Sequence, residues 1–174
     1  MSFGTYRTKT YIAADWTGDA SAVKALYAWK NNNHRELDFV DVHSVTQSRD
    51  SSLNCTIKSS LRQRMDISKT FVLIVGEKTK YLRSGGCQLC SSYNSYTGRC
   101  ARGYSIDYKS YVDYECAKAV EAGIKIVVLY NSSIVNRDLC PDIVKNTSIH
   151  VPMHIWQNGV LKWNYQDIKT AIMG

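Results

Sequence analysis

The sequence lacks any long apolar run and any leader-like N-terminus. None of its segments approaches the ~18 continuous apolar residues that a membrane-spanning helix needs. The opening stretch MSFGTYRTKTYIAAD also lacks the apolar core of a signal peptide. These absences predict a cytoplasmic protein with no membrane partner. In that reducing compartment, the six cysteines favour free thiols or metal ligands over disulfides.

The sequence also lacks blocks of like charge, internal repeats and low-complexity tracts. The formal net charge is +7, but the basic residues are scattered, so a nucleic-acid partner is not expected. The excess of positive charge suits a small anionic partner, such as one that carries phosphate groups. No break in composition divides the 174 residues, and this length fits a single domain with its own core.

Apolar, β-branched runs predict the central strands of a sheet. They lie at 70–76 (TFVLIVG) and 124–130 (IKIVVLY). Such nearly unbroken runs are typical of strands that are buried on both faces. Weaker patterns predict further strands at 10–15, 37–42 and 149–153, the last confined to a sheet edge or a strand end because it contains proline.

Apolar residues at helical spacing predict helices between these strands, at 19–31, 52–65, 108–122 and 165–173. Polar residues stand at the expected N-cap positions of the first, second and last helices: Asp19, Ser51 or Ser52, and Asn164. Gly123 ends the helix at 108–122. Alternating strands and helices predict an α/β protein with a parallel sheet, helices on both faces and, in the commoner short arrangement, strand order 2-1-3-4-5.

Two strand ends mark the expected ligand site of such a sheet. Ligands bind outside the carboxyl ends of the strands, where the strand order reverses, here between the first and third strands. Ala14 and Asp15 end the first strand, and Gly76 and Glu77 end the third. A long irregular loop, 77–107, leads from there to the next helix, and loops of this length in compact domains are usually functional or separately stapled.

Glu115 interrupts the apolar face of the helix at 108–122. Val112, Cys116 and Ala119 repeat at the spacing of one buried face, and Glu115 lies at i+3 in the same series. The pattern leaves two interpretations open. The carboxylate either snorkels at the edge of a packed face or serves a site near the carboxyl ends of the strands.

The long loop carries a cysteine pattern. Cys87-x-x-Cys90, followed by Cys100, brings thiols together in a spacing that suits tetrahedral zinc. A structural site needs four ligands, and only the fold can supply the fourth, with Cys116 and Cys140 as candidates. A zinc ion that folds the loop, free thiols and an opportunistic disulfide all stay open; no catalytic metal is expected.

Several segments together resemble the TIR-like domains of bacterial Thoeris anti-phage proteins. They are TYIAAD, FVDVHS, FVLIVGEKTKYL and YVDYECAKAVEAGIKIVVLYNSS, within about residues 10–141. The resemblance implies a flavodoxin-like fold and an enzyme that cleaves the bond between nicotinamide and ribose in NAD. The implied product is a cyclic or modified ADP-ribose that reaches a separate effector protein, with homo-oligomerisation on activation.

The resemblance also implies roles for individual residues. Glu115 falls on the family's catalytic glutamate, because Tyr114-Glu115 matches an aromatic-Glu pair in which the subgroup often has tryptophan. Asp15 corresponds to the polar end of the first strand, in the nucleotide pocket. Asp41 and His43 match an Asp-x-His of the subgroup, which is a weak motif by itself. Two other functions stay open: a non-enzymatic TIR interaction module and a nucleoside deoxyribosyltransferase-like enzyme.

Overall fold

The computed structural model describes residues 6–32, 37–41, 53–146 and 148–174. In chain order, the strands are β1 (Lys9–Ala13), β2 (Ser68–Val75), β3 (Tyr93–Asn94), β4 (Arg99–Cys100), β5 (Lys125–Tyr130), β6 (Ile149–Pro152), β7 (His154–Gln157) and β8 (Val160–Trp163). The α-helices are α1 (Ala20–Lys30), α2 (Asn54–Asp66), α3 (Tyr111–Glu121) and α4 (Tyr165–Met173). Short 3₁₀ turns lie at Thr79–Tyr81, Cys87–Leu89, Arg137–Leu139 and Asp142–Val144.

A parallel sheet forms the centre of the molecule. Its four strands run in the order β1-β2-β5-β6. The central pair is β2 and β5, whose register places Phe71 beside Ile126 and Val75 beside Tyr130. These two strands are the apolar runs of the sequence, and their prediction is confirmed to within two residues at each end. The α/β class with a parallel sheet is likewise confirmed.

The second predicted strand, 37–42, is much shorter than expected. Within its described part, it forms only one parallel bridge, from Asp41 to Thr10, and the Thr10 amide donates to the Val40 carbonyl at 2.8 Å. The segment therefore lies along the outer edge of β1. When it is counted as the second strand, the arrangement is the predicted 2-1-3-4-5.

Helices cover both faces of the sheet, as predicted. Alternate residues of each strand point to opposite faces. On one face, Ile12 and Val72 pack in a cluster with Leu26 of α1 and Ile168 of α4. On the other face, the partners come from α2 and α3: the buried residues there include Tyr11, Leu61, Phe71, Val112 and Cys116. We call these the α1/α4 face and the α2/α3 face.

Two of the predicted capping bonds are not formed. Asp19 and Asn164 do occupy the N-cap positions of α1 and α4, but neither side chain accepts a capping bond. Instead, the Asn164 amide donates to the Pro152 carbonyl at 3.1 Å. Leu53 occupies the N-cap position of α2, whereas Ser51 and Ser52 lie outside the described residues. The side chains of Asp19 and Asn164 therefore bond to residues outside their helices, although the local pattern predicted that they cap the helix ends.

Helix α3 has a well-formed cap at each end. It begins at residue 111, three residues later than predicted, because Ser110 is its N-cap and accepts a bond from the Asp113 amide at 3.1 Å. At the other end, the Gly123 amide donates to the Val120 carbonyl at 3.0 Å, and Gly123 has a φ of +62°. This left-handed residue stops the helix as the sequence predicted.

Two hairpins were missed by the sequence analysis. The segment 77–107 is not wholly irregular, since β3 and β4 pair there antiparallel. The second hairpin, β7–β8, turns at Asn158 and Gly159, with φ of 52° and 74°. Asn-Gly between apolar residues is the strongest short-range hairpin signal, so this hairpin was predictable. Edge strand β6 agrees with the restriction that Pro152 imposes.

The helices in the described ranges include none that is long and apolar enough to cross a membrane.

Replacing Gly123 with alanine tests the left-handed stop of α3. A Cβ there meets nothing within 4 Å, so the change adds backbone strain without a clash. We expect the Gly123→Ala variant to lose about 1–2 kcal/mol of unfolding free energy, measured by urea denaturation. Gly123→Asn is the control and should lose less, because asparagine tolerates this conformation. Equal losses in the two variants would contradict the assignment.

Candidate functional site

An open cleft lies at the carboxyl ends of β1, β2 and β5. Its volume is about 300 Å³. The lining residues come from the loops that follow these strands: Asp15, Gly18, Asp19, Gly76, Glu77, Lys78 and Asn131. The structure therefore brings Asp15, Gly76 and Glu77 together, which the sequence had placed at the ends of the first and third strands. Asp19 and Asn131 also line the cleft, although neither was predicted as a site residue.

Asp19 is the most enclosed carboxylate of the cleft. It is 3% exposed and accepts a bond from Asn131 Nδ2 at 3.0 Å. Burial raises the pKa of Asp19, the hydrogen bond from Asn131 opposes this, and the nearby charge of Asp15 raises it further. Asn131 directly follows β5, so its position at the carboxyl edge was a signal that could have found it.

Gly76 provides the space that the Asp19 carboxylate occupies. A Cβ built at Gly76 would lie 2.2 Å from Asp19 Oδ1, so a side chain at this position conflicts with the carboxylate. The Gly76 amide also donates to Thr79 Oγ1 at 2.8 Å, which ties the loop after β2 to itself. The φ of Gly76 is not left-handed, so backbone conformation does not require glycine here. Glycine is needed because a larger residue would not leave room for the loop that carries Asp19.

The charge of the cleft is predominantly negative. Asp15, Asp19 and Glu77 contribute carboxylates, while Lys78 is the cation among the lining residues. Asp15 is held in a turn by the Thr17 amide, which donates to Oδ1 at 3.1 Å. Carboxylates accept hydrogen bonds from hydroxyl groups and repel phosphates. The arrangement therefore favours a ligand that presents hydroxyls to this part of the cleft.

Glu115 lies elsewhere, on the α2/α3 face. It is 7% exposed and accepts a bond from the hydroxyl of Tyr11, at 2.5 Å from Oε1. Tyr11 belongs to β1 and is fully buried. Glu115 is not among the residues that line the cleft. The carboxylate is therefore buried against the sheet, and it does not snorkel at the edge of a packed helix face.

The hydrogen bond between Tyr11 and Glu115 has a defined direction. Burial raises the pKa of the Tyr11 hydroxyl well above its ordinary value, and the charge of Glu115 and the bond itself raise it further. The positive charge of Arg64 acts in the opposite sense. The proton therefore stays on the tyrosine, and Glu115 accepts it as a hydrogen bond. This fixes one carboxylate oxygen while the fold is intact.

The other predicted site residues are distributed over the molecule. Asp41 is buried on the α1/α4 face, where the hydroxyl of Tyr27 donates to its Oδ2. Ala14 is buried in the same apolar cluster. His43 lies outside the described residues. The structure therefore gives Asp41 and Glu115 different tyrosine partners, Tyr27 and Tyr11.

Tyr114 is half-buried on α3, beside Glu115 in the chain. Its ring lies under two ammonium groups, with Lys58 Nζ at 5.4 Å and Lys118 Nζ at 5.8 Å from the ring centroid. Such contacts are attractive because the ring face is electron-rich. Burial raises the pKa of Tyr114, and the charge of Lys118 opposes this. In this structure Tyr114 packs α3 against α2 and takes no part in the cleft.

A family model described as the Thoeris protein ThsB, TIR-like domain, matches residues 3–84. The match covers β1 to β2 and the cleft residues Asp15, Gly76 and Glu77, and it ends before α3. A comparison with curated proteins gave no match. Over this segment the chain is similar to TIR-like domains of the Thoeris type. The match and the parallel sheet together support a defence-related TIR protein.

A double-mutant cycle tests the contact between Gly76 and Asp19. We expect Gly76→Ala to reduce the unfolding free energy by about 1–3 kcal/mol, because the new methyl group overpacks against the carboxylate. In the Asp19→Ala background the same change should cost clearly less, since the clashing oxygens are gone. Chemical denaturation of the wild type, both single variants and the double variant gives the coupling. Additive losses would show that the two residues do not meet.

Proposed function

We propose that this protein is a TIR-type enzyme that cleaves the bond between nicotinamide and ribose in NAD. In this proposal the product is a cyclic or otherwise modified ADP-ribose, which signals to a separate effector protein in anti-phage defence. The observation that carries the proposal is the burial of the Glu115 carboxylate. Burying a charge is costly unless it is paired and hydrogen-bonded, so a position needed only for packing would be filled by an apolar residue.

The chemistry needs one well-placed carboxylate. Nicotinamide is cationic in NAD, so it departs as a neutral molecule and requires no general acid. Positive charge then develops on the ribose ring, as in glycoside cleavage. A carboxylate fixed in surroundings with little water stabilises this charge more strongly than one in bulk solvent. Attack by water gives hydrolysis, and attack by a nucleophile of the same molecule gives cyclisation.

In this scheme Tyr11 is a positioning residue. Its hydroxyl donates to Oε1 of Glu115, which fixes the orientation of the carboxylate. Because the raised pKa of Tyr11 keeps it protonated, its hydroxyl remains a donor to Glu115 across the physiological pH range. A carboxylate that is already held in position does not have to reorient as charge develops on the substrate, which lowers the barrier of the reaction.

The cleft at the carboxyl ends of the strands is proposed to bind the remainder of NAD. Asp15 and Glu77 are suited to accept hydrogen bonds from ribose hydroxyls, as an acidic residue does in dinucleotide-binding folds. Lys78 is placed to meet the pyrophosphate. Because Glu115 is nearly covered and does not line the cleft, the proposal requires substrate binding or homo-oligomerisation to open a path between them.

The first test compares two glutamates of the same helix. Glu115→Gln removes the proposed catalytic charge, while Glu121→Gln removes an exposed carboxylate that bonds Lys118. We expect Glu115→Gln to lower nicotinamide release from NAD by about 100-fold or more and Glu121→Gln to leave it unchanged. Mass spectrometry of small molecules follows the reaction, with lysate from phage-exposed cells as activator, and circular dichroism checks that both variants fold.

The outcomes of this test separate the proposed functions. Undiminished NAD cleavage by a folded Glu115→Gln variant would remove Glu115 from the mechanism. No cleavage by the wild type under any activating condition would favour a non-enzymatic interaction module. The exposed apolar side chains of the β7–β8 hairpin, Ile155, Trp156, Val160 and Leu161, are the observation that supports that second function. Turnover of deoxynucleosides, supplied in parallel with NAD, would indicate a deoxyribosyltransferase.

The second test addresses the cleft. We expect Glu77→Gln to raise the KM for NAD by about tenfold, the effect of weakening one hydrogen bond to a charged group, with kcat unchanged. A raised KM with an unchanged kcat indicates the loss of an interaction that stabilises the ground state and the transition state equally. Steady-state kinetics on activated protein measures it, again with Glu121→Gln as the control. A fall in kcat with constant KM would instead place Glu77 at the reacting ribose.

A further inference from the structure

Four cysteines from distant parts of the chain line one small cavity. They are Cys55, Cys87, Cys90 and Cys100. The cavity has a volume of about 10 Å³, which is close to that of a single water-sized probe. All six cysteines of the chain are free thiols, but the other two, Cys116 and Cys140, are buried in the apolar cluster of the α2/α3 face. The fold thus supplies a fourth thiol, and it is Cys55, not Cys116 or Cys140 as the sequence suggested.

Three short elements deliver the four thiols. Cys87 begins the turn Cys87–Leu89, and Cys90 follows that turn. Cys100 ends β4, opposite Tyr93 of β3. Cys55 lies in the first turn of α2. A two-residue knuckle, a hairpin and a helix start are compact, well-defined carriers, and C-x2-C lets both of its sulfurs point at one ion.

Two features of the surroundings can support a ligating sulfur. The Asp107 amide donates to Cys87 Sγ at 3.2 Å, and such a bond stabilises a ligating sulfur from outside the first shell of ligands. Cys55 lies in the first turn of α2, beside the positive end of the helix dipole. Lys58 is buried close by and pairs with Asp107 at 3.0 Å. Lys58 thereby holds in place the residue whose amide reaches the sulfur.

The loop already docks on α2 at this point. Asn54 Nδ2 donates to the Gly86 carbonyl at 3.0 Å, and the hydroxyl of Tyr111 donates to Asn54 Oδ1 at 3.0 Å. Lys58 Nζ donates to the Lys109 carbonyl at 2.8 Å. The chain therefore places both ends of the cysteine segment against the first turns of α2, which keeps the four thiols within reach of one another.

We propose that Cys55, Cys87, Cys90 and Cys100 form a structural zinc site that fastens the loop 77–107 to α2. In the described part of the chain, no three His, Cys, Asp or Glu side chains already converge as a metal cluster, so ligation requires the four thiols to move closer together. Each ligating thiol loses its proton to solvent, and four Zn–S bonds of about 2.3 Å close a tetrahedron. With four protein ligands there is no open position for catalysis, so the ion acts on folding.

Cobalt provides a direct test on the full-length protein. The reduced chain is freed of metal with a chelator and titrated with Co²⁺ under anaerobic conditions. We expect an intense sulfur-to-cobalt charge-transfer band and the visible bands of tetrahedral Co²⁺, which saturate at one equivalent and disappear when Zn²⁺ is added. Zinc should also raise the temperature of thermal unfolding. This measurement needs no variant, so it does not depend on whether a mutant folds.

Two serine variants separate the ligand set from the other thiols. Cys55→Ser should weaken Co²⁺ binding by about tenfold or more and reduce the charge-transfer intensity. Cys140→Ser is the matched control, because serine can still donate to the Arg137 carbonyl as Cys140 does, and it should bind Co²⁺ like the wild type. Far-UV circular dichroism establishes that both variants are folded.

Three results would overturn the proposal. The first is the absence of a charge-transfer band in reduced wild-type protein. The second is wild-type Co²⁺ affinity in Cys55→Ser, which would remove Cys55 from the ligand set. The third is a pair of disulfides among these cysteines in freshly isolated, thiol-blocked protein that contains no metal, as detected by mass spectrometry. None of these readouts depends on NAD cleavage, so the zinc site and the enzymatic proposal succeed or fail separately.

Discussion

Burial of β2 and β5 on both faces is the constraint on which the rest of the structure depends. From Phe71 to Val75 no residue of β2 is more than 1% exposed, so apolar helices must cover the sheet above and below. The strands are parallel, and consequently every connection crosses from one end of the sheet to the other. The carboxyl ends are then the place where loops meet, and the cleft with Asp15, Asp19 and Glu77 follows from that geometry.

The same constraint explains why the polar groups of the chain are divided into separate sites. From Phe71 to Val75, β2 offers no polar side chain that could carry a hydrogen-bonded network from one face of the sheet to the other. Asp41 is therefore satisfied by Tyr27 on the α1/α4 face, and Glu115 by Tyr11 on the α2/α3 face.

The sequence could predict features that are set by residues close together in the chain. It could not predict contacts between residues that are far apart in the chain. Strands β2 and β5 and the stop at Gly123 follow from local composition and spacing, and they were found. The contact between Asp19 and Asn131 joins residues 112 positions apart, and local pattern instead favoured a helix cap for Asp19. Cys55 was not predicted as part of the thiol cluster for the same reason. Its neighbours in the chain contain no second thiol, and only folding brings it to the cavity that Cys87 lines. The β7–β8 hairpin is a different case, because the local sequence Asn158-Gly159 is enough to predict its turn.

Helix α2 connects the thiol cavity with the buried carboxylate. Its first turn carries Cys55, and one side of its body packs Leu61 and Met65 into the same cluster as Val112 and Cys116 of α3. The cysteine segment is followed in the chain by Ser110, which is the N-cap of α3. A loop that is fastened to the start of α2 therefore also restrains the start of α3. Since Glu115 lies about one turn into α3, the position of its carboxylate depends on how firmly that loop is held. A metal at the thiols would thus act on the candidate chemistry through helix placement alone, without contacting the substrate.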